Sequence, residues 1–318
     1  MADHSEIIAW ARQQLNAPQA VATLVVQAPW STVLRVNTGE RAAYLKQTSA
    51  GLFIEASVLR ICHDTCGIKS VPCLIAADAG QCCFLMEESG HTSLREFYNG
   101  NPDTDLLMKA LQIYRELQRA TAPHIDAFLQ AGVPDWRLHK LSAVYDDMAS
   151  NDVFMTSLGL EAADIKAARD ISGKLEKALQ ELDGFGIAPC LNHADLHDAN
   201  MLLNKATGAV TIIDIGETVV EHPFLSLTAF LKRLPIRYPV LKDTEGFKAL
   251  HAACFSGWGL ADADLQAAEA LAWQLLPLYS ILVHTRLVNL SSKTTGDLSG
   301  MQDRVKRAFP QLVENLTG

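Results

Sequence analysis

The segment LNHADLHDANMLL brings imidazole, carboxylate and amide side chains together between two apolar runs. The polar residues are His193, Asp195, His197, Asp198 and Asn200. Aspartate and asparagine are common in turns because their side chains bond to nearby backbone groups, but a turn alone does not easily explain the whole set. Two kinds of chemistry fit these residue types: hydrolysis at a transition metal, and phosphoryl transfer assisted by magnesium.

A transition-metal site would use His193, Asp195 and His197, which alternate along the chain and could ligate zinc or iron from an extended segment. Such a site needs further ligands from the ends of other strands. The remaining candidates are His222, His251 and His284, and none of them lies in a similar strand-like context. A metallohydrolase is therefore the less favoured alternative.

Phosphoryl transfer needs a carboxylate that orients the attacking hydroxyl and accepts its proton, together with oxygen ligands for magnesium. Asp195 fits the first role. Asn200 and Asp214 fit the second, because a hairpin after the loop would fold Asp214 back beside it. Hard oxygen ligands suit magnesium, whereas a site for a softer metal would contain more imidazole or thiolate groups.

The elements that must position these residues differ between the two parts of the chain. Up to Ser89–Gly90 the chain consists of short β-rich runs bounded by turn residues, with one helical segment at 51–64. Plausible hairpin turns lie at Thr38–Gly39 and Ala79–Gly80. The pattern predicts an antiparallel sheet with one inserted helix.

Beyond Ser89–Gly90 the pattern is helical, with Asp103 as the N-cap of one helix and another helix predicted at 162–182. One β-like island interrupts it. There the runs NMLLN and AVTIIDI flank a turn at 205–208, which predicts a hairpin. The polar loop directly precedes the first strand of this hairpin, and Asp214 lies near the end of the second.

The composition limits the kinds of protein that this chain can be. With 318 residues, 49% of them hydrophobic, the chain can bury a sizeable core, and 20% charged residues argue against wholesale disorder. The net charge of −9 argues against nucleic acid or an anionic membrane as the main partner. The most apolar stretch, residues 271–283, contains polar residues and is too short to span a bilayer.

The seven cysteines are odd in number and their spacings form no paired framework. The N-terminal segment MADHSEIIAWARQQL is typical of an amphipathic helix and not of a signal peptide. Together these features predict a cytoplasmic protein with free thiols.

The segments HADLHDAN and IIDIGE resemble the catalytic loop and the metal-binding segment of the aminoglycoside phosphotransferase and choline kinase-like family, which shares the protein-kinase fold. The family pattern is H-G-D-x-x-x-x-N, a short hairpin, and two hydrophobic residues before an aspartate. His193, Asp195, Asn200 and Asp214 match it in order and spacing. The resemblance implies that His193 braces the loop, Asp195 is catalytic, and Asn200 and Asp214 bind Mg²⁺.

Three positions depart from the family pattern. Ala194 stands where the family usually has glycine, and Ile215 stands where tryptophan or phenylalanine is more common. Ser226 stands where an aspartate is often seen, which leaves open how the following helix is anchored.

The resemblance also implies a strand lysine that contacts phosphates and a helix glutamate that pairs with it. Lys46 ends a β-like run, and Glu55 follows it nine residues on in the helical segment. The residues at helical spacing around Glu55 are apolar: Leu52, Val58, Leu59 and Cys62. A buried carboxylate needs a cationic partner, so we expect Glu55 to pair with Lys46.

The remaining nucleotide contacts are expected from two segments. The run APWSTVLRV would lie over the phosphates; it contains no glycine, so Ser31, Thr32 and backbone N–H groups would have to serve them. The run FLMEESG fits a hinge at which the backbone of Glu87 and Glu88 could meet a purine.

The sequence therefore predicts an α+β, two-lobed protein-kinase-like fold: a small antiparallel sheet lobe with one helix at residues 1–89, and a larger, mostly helical lobe at 90–318. The predicted activity is Mg²⁺-dependent transfer of the γ-phosphate of ATP or GTP to a hydroxyl group of a small molecule. A kinase-fold nucleotide-binding protein without catalysis is the second alternative. The sequence indicates neither the acceptor, nor the oligomeric state, nor a role for His197 and Asp198.

The acceptor is expected among the C-terminal helices, near Trp258, Trp273, Tyr279, His284 and Arg286. Aromatic residues there could cage a quaternary amine, although a tryptophan in an apolar helix is more often part of the core.

Overall fold

The computed structural model describes residues 4–90, 92–291 and 299–318. Its N-terminal part is an antiparallel sheet in the order β1-β2-β3-β5-β4. The strands are β1 (Val21–Ala28), β2 (Ser31–Asn37), β3 (Ala42–Thr48), β4 (Leu74–Asp78) and β5 (Cys83–Glu87). Both predicted hairpins form, because the turn residues at 38–39 and 79–80 connect β2 to β3 and β4 to β5.

Two helices cover opposite faces of this sheet: α1 (Ser5–Gln14) and α2 (Ile54–Asp64). Buried residues of α1 pack with Leu34, Val36 and Leu45 of the sheet. Buried residues of α2 pack with Phe84 and Met86, which point the other way because side chains alternate along a strand. The expected single inserted helix is α2, and the amphipathic N-terminal segment adds α1 to the same lobe.

The rest of the chain is mainly helical, as predicted. Its helices are α3 (Leu94–Tyr98), α4 (Thr104–Thr121), α5 (Ile125–Gln130), α6 (Leu138–Ala149), α7 (Asp152–Ser157), α8 (Ala162–Asp170), α9 (Ser172–Asp183), α10 (Pro223–Arg237), α11 (Glu245–Phe255), α12 (Asp262–Ser291) and α13 (Ser299–Thr317). Asp103 caps α4 by accepting from two backbone N–H groups. The single helix predicted at 162–182 is in fact two, α8 and α9, because the chain turns at Ile171.

Two small sheets hold the polar loop. One has the order β10-β9-β6, with β6 (Thr92–Ser93), β9 (Met201–Asn204) and β10 (Ala209–Ile212). The other has the order β7-β11-β8, with β7 (Asp135–Trp136), β8 (Cys190–Asn192) and β11 (Val219–Glu221). The predicted hairpin is β9–β10, so the loop that carries Asp195 connects one small sheet to the other.

All seven cysteines are unpaired. Among the described residues, no helix combines the length and apolarity required to cross a membrane.

Candidate active site

His193 holds the loop between β8 and β9 in shape. Its Nε2 lies 2.9 Å from the carbonyl oxygen of Ile213, and its Nδ1 accepts from the backbone N–H of Asp195 at 3.1 Å. Burial lowers the pKa of His193, so the imidazole is neutral, with its proton on Nε2. Both ring nitrogens are thus committed to the backbone, which leaves neither for a transition metal.

Asn200 and Asp214 meet because the hairpin closes between them. The N–H of Ile213 donates to the carbonyl oxygen of Asn200 at 2.9 Å. The Asn200 side chain donates from Nδ2 to the carbonyl oxygen of Asp195 at 3.0 Å, so its Oδ1 faces away from that bond. Asp214 has a φ of 61°, a left-handed conformation that aspartate tolerates better than most residues. The backbone bond from Ile213 therefore brings Asp214, the next residue, back to the end of the polar loop.

Lys46 joins the two lobes at this point. Its Nζ donates to Glu55 Oε2 at 2.5 Å and also to Asp214 Oδ1. The side chains of Lys46 and Glu55 are only 7% and 2% exposed, whereas that of Asp214 is 44% exposed. Burial alone would lower the pKa of Lys46, but the carboxylates of Asp214 and Glu55 outweigh it and keep the ammonium charged.

The close approach of α2 to the segment after Asp214 depends on Gly216. A Cβ at Gly216 would lie 3.0 Å from Glu55 Oε2 and 3.2 Å from the carbonyl oxygen of Leu52. The next residue, Glu217, borders the same crevice as Lys46. Burial, together with the charges of Asp195 and Asp214, raises the pKa of Glu217 to about 8.

Asp195 has two cationic or protonatable partners that the sequence did not indicate. Arg233 of α10 donates to Asp195 Oδ1 at 2.6 Å, and His197 Nε2 lies 3.2 Å from Oδ2. Burial would raise the pKa of Asp195, but the hydrogen bond to His197 and the charge of Arg233 outweigh it and hold the pKa below its ordinary value. Asp195 is thus ionised and a weak base, suited to orienting a hydroxyl more than to removing its proton in advance.

Asp198 is a buried carboxylate that links the loop to two helices. It is 3% exposed and accepts from Arg95 at 2.7 Å and from the Tyr238 hydroxyl. These contacts tie the short 3₁₀ turn Asp198–Asn200 to α3 and to the end of α10. Asp198 therefore fixes the loop, with its carboxylate turned towards Arg95 and Tyr238.

A buried polar network supports the loop from beneath. The Tyr114 hydroxyl accepts from the N–H of His193 at 2.9 Å and lies 2.9 Å from Ser226 Oγ, which donates to Asn192 Oδ1 at 3.0 Å. Gln118 donates to the same Asn192 oxygen at 2.5 Å. Ser226 thus anchors α10 through neutral hydrogen bonds, and no aspartate is needed at that position.

The other two departures from the family pattern are also accommodated by packing. Ala194 is 2% exposed and Ile215 is 1% exposed, and both belong to the main hydrophobic core. Their apolar side chains therefore help to bury the loop and its continuation after Asp214.

The first residue before α10, His222, caps the helix that carries Arg233. Its Nδ1 accepts from the N–H of Phe224 at 3.3 Å, and its Nε2 is buried without a partner among the described residues. Burial lowers the pKa of His222 to about 3.

We expect His222→Asn to reduce the acid sensitivity of folding. Unfolded His222 takes up a proton near pH 6.5, but the folded protein does so only at about pH 3, so the stability associated with the neutral imidazole is lost as the pH falls through this range. Asparagine can cap the helix without titrating. Relative to the wild type, the free energy of unfolding of the variant should gain about 1 kcal/mol per pH unit below pH 6.5.

Urea unfolding at several pH values measures this difference, with His139→Asn on the exposed surface as the control. A difference between His222→Asn and wild type that does not change with pH would contradict the assignment.

The predicted nucleotide loop is only partly as expected. Ser31 lies opposite Thr48 and borders the same crevice as Lys46. Thr32 is in phase with the buried Leu34, which faces α1, so its side chain lies on the opposite face from Lys46. Strand alternation thus allows only Ser31, of these two neighbours, to face the crevice with its side chain.

At the predicted hinge, the backbone N–H of Glu87 donates to the carbonyl oxygen of Cys73 at 2.9 Å and is not available to a ligand. The carbonyl oxygen of Glu87 accepts from Ser89 Oγ at 3.4 Å, a long and exposed contact that a stronger donor could replace. Tyr44, which the sequence did not single out, lies opposite Met86 on the same strand face as Lys46. Its ring could stack on a purine.

The expected acceptor residues separate into two groups. Tyr279 and His284 line a cavity of about 420 Å³ between α10, α12 and α13. Trp258 instead packs on Phe224, and Trp273 stacks on His251. Arg286 donates to the carbonyl oxygen of Glu217 at 2.8 Å, in the segment that follows Asp214. No aromatic cage for a quaternary amine forms from these residues.

Comparisons with known proteins agree with this geometry. The model of a family described as "Phosphotransferase enzyme family" matches residues 25–259. The ethanolamine kinase of Plasmodium vivax has a TM-score of 0.67 at 9% identity, with 95% of this chain and 86% of that one covered. A sequence comparison with curated proteins finds no significant match.

Two further solved structures are similar. A GDP complex of aminoglycoside 2'-phosphotransferase-IIIa has a TM-score of 0.60 at 15% identity, covering 98% of this chain and 97% of that one. The choline kinase LicA of Streptococcus pneumoniae has a TM-score of 0.55 at 14% identity, covering 98% and 100%. These likenesses confirm the predicted two-lobed kinase-like fold.

Proposed function

Because the chain belongs to the phosphotransferase enzyme family, we propose that it transfers the γ-phosphate of ATP or GTP to a hydroxyl group of a small molecule. The lobe of residues 1–89 binds the nucleotide, and the lobe of residues 90–318 binds the acceptor. The GDP complex of an aminoglycoside phosphotransferase with a similar fold supports a purine nucleotide as the donor.

The observation that carries this proposal is the position of Lys46. One ammonium group contacts Glu55 of the small lobe and Asp214 of the large lobe, and Ile213, the residue before Asp214, donates its backbone N–H to the carbonyl oxygen of Asn200. Phosphoryl transfer requires such an arrangement, in which a fixed cation and hard oxygen ligands converge where the phosphates must lie.

When bound, the nucleotide supplies the phosphoryl group, and Mg²⁺ supplies positive charge that offsets the negative charge of the phosphates. Lys46 adds a further cation, which Glu55 holds in place. Asn200 and Asp214 would hold the metal through their side-chain oxygens. His193 keeps the loop backbone rigid, so that little reorganisation is needed during the reaction.

Asp195 orients the acceptor hydroxyl and receives its proton as the bond to phosphorus forms. Its lowered pKa makes it a weak base, which is sufficient because positioning and charge stabilisation supply most of the rate in phosphoryl transfer. Arg233 and His197 fix the two carboxylate oxygens and thereby set the direction in which Asp195 accepts.

The first test is thermal unfolding of the protein with ATP, GTP or neither, each with and without Mg²⁺. A ligand that binds only the folded state at about 100 times its Kd should raise the Tm by roughly 5 °C. We expect the rise only when nucleotide and Mg²⁺ are both present. The nucleotide with the larger effect is the preferred donor.

Two results would change the proposal. A Mg²⁺-dependent rise without turnover of any hydroxyl compound would favour a nucleotide-binding protein without catalysis. Absence of a rise with both nucleotides would contradict the assignment of Lys46, Asn200 and Asp214.

A further inference from the structure

The cavity between α10, α12 and α13 is connected to the catalytic loop at two points. Arg233, on its wall, donates to Asp195 at 2.6 Å, and the hydroxyl of Tyr279, also on its wall, donates to the carbonyl oxygen of His193 at 3.4 Å. The volume of about 420 Å³ is within the usual range for small-molecule sites. A ligand in this cavity therefore lies next to the residue proposed to orient the acceptor.

The charged side chains that line the cavity are all cationic in the described ranges: Lys232, Arg233, Arg304 and Arg307. Arg233 is paired with Asp195, and Arg304 contacts His284. Lys232 and Arg307 have no ion pair or side-chain hydrogen bond with a described residue. In a chain of net charge −9, several cations therefore converge at a cavity whose described lining residues include no carboxylate.

His284 holds one of these cations at the wall. Its Nδ1 lies 2.6 Å from the carbonyl oxygen of Ser280 and must carry the proton, so Nε2 accepts from Arg304 at 3.3 Å. Burial, with a further contribution from Arg304, lowers the pKa of His284, which keeps the imidazole neutral. Arg304 is thus held at the cavity wall by a neutral group.

A cationic acceptor does not suit this cavity. Its positive charge would be repelled by the lining cations, and Tyr279 is the one aromatic residue among the described residues of the lining. The kinases with similar folds are named for ethanolamine, choline and aminoglycosides, all of which carry amino or ammonium groups. The lining of this cavity instead favours a negatively charged ligand.

We propose that the acceptor of this enzyme is a hydroxylated anion, and that Lys232, Arg304 and Arg307 bind its carboxylate or phosphate group. This inference rests on the proposed function and specifies the acceptor class within it. Guanidinium groups recognise both kinds of anion through paired hydrogen bonds. With the anionic group at these three cations, the hydroxyl end of the molecule points along the cavity wall towards Arg233 and Asp195.

Calorimetric titration of the full chain with inorganic phosphate, D-gluconate, choline and kanamycin tests this proposal. Mg²⁺ and a non-hydrolysable ATP analogue are present throughout, so that the nucleotide cleft is filled. The variant Lys232→Gln/Arg304→Gln/Arg307→Gln removes the proposed anion site. The control Lys69→Gln/Lys140→Gln/Lys174→Gln removes the same charge from exposed positions outside the cavity lining.

We expect at least one of the two anions to bind the wild type and the control equally, and to bind the cavity variant roughly tenfold or more weakly, since three exposed ion pairs are removed. Binding should also weaken with added salt. Binding of gluconate alone or of phosphate alone would identify the anion as a carboxylate or a phosphate.

The proposal is overturned if neither anion binds the wild type, if anion binding is equal in both variants, or if choline or kanamycin binds more tightly than both anions. The Tm shift with Mg²⁺ and nucleotide, measured on the same samples, separates this failure from failure of the kinase assignment. A Tm shift without anion binding would contradict only the proposal that the acceptor is an anion. Anion binding without a Tm shift would contradict the kinase function but not the anion site.

Discussion

The variant Asp195→Ala is expected to lose phosphoryl transfer by a factor on the order of 10²–10⁴ while remaining folded. In the proposed mechanism this carboxylate orients the acceptor hydroxyl and receives its proton, and Arg233 and His197 contact its two oxygens. The side chain is 35% exposed, so its removal leaves no large cavity in the core. Steady-state turnover with a saturating acceptor measures the loss in kcat.

Two controls show whether the loss of turnover arises in the chemical step or in nucleotide binding. Asp195→Asn keeps the shape of the side chain but neither its charge nor its basicity, so it should be nearly as inactive. The Tm shift with Mg²⁺ and nucleotide should persist in both variants, because Asp195 does not belong to the proposed metal site. Turnover near the wild-type rate in either variant would show that another group orients the acceptor.

The second large effect is expected for Asp214→Ala, which should abolish both turnover and the Mg²⁺-dependent rise in Tm. Asp214 supplies the carboxylate of the proposed metal site and also contacts Lys46. Lys46 keeps Glu55 in the variant, so the small lobe should not lose its internal pair. The loss is therefore in ligand binding and in catalysis more than in folding.

The unusual backbone at Asp214 requires a matched control. Alanine in the left-handed conformation costs about 1 kcal/mol, which lowers the Tm for reasons unrelated to metal. Asp243 has nearly the same backbone angle, with a φ of 64° against 61° for Asp214, and it lies at an exposed turn. Asp243→Ala should show the cost in stability but keep turnover, and equal activity losses in the two variants would argue against a metal site.

The polar loop shows how far local sequence carries a structural prediction. The hairpin expected between Asn200 and Asp214 forms, because a short turn between two apolar runs leaves few other ways to pair them. The resemblance implied the pairing of Lys46 with Glu55, and the apolar stripe on α2 supported it, since a carboxylate in a buried stripe needs a cation.

The sequence did not predict which side chains of β2 face the crevice. Ser31 and Thr32 are adjacent and chemically alike, and the sequence offered both as phosphate contacts. Register with β3 placed Ser31 on the face of Lys46 and Thr32 on the other, and that register depends on hydrophobic packing against α1.

The sequence alone determined the fold class, the type of secondary structure in each lobe and the spacing of the candidate catalytic residues, because these depend on neighbours along the chain. Only the tertiary structure decided what surrounds Asp195. Arg233 meets it from α10, and Lys232, Arg304 and Arg307 converge from two helices that are remote in sequence. Such contacts depend on how whole helices pack, and no local pattern of charge or periodicity specifies that packing.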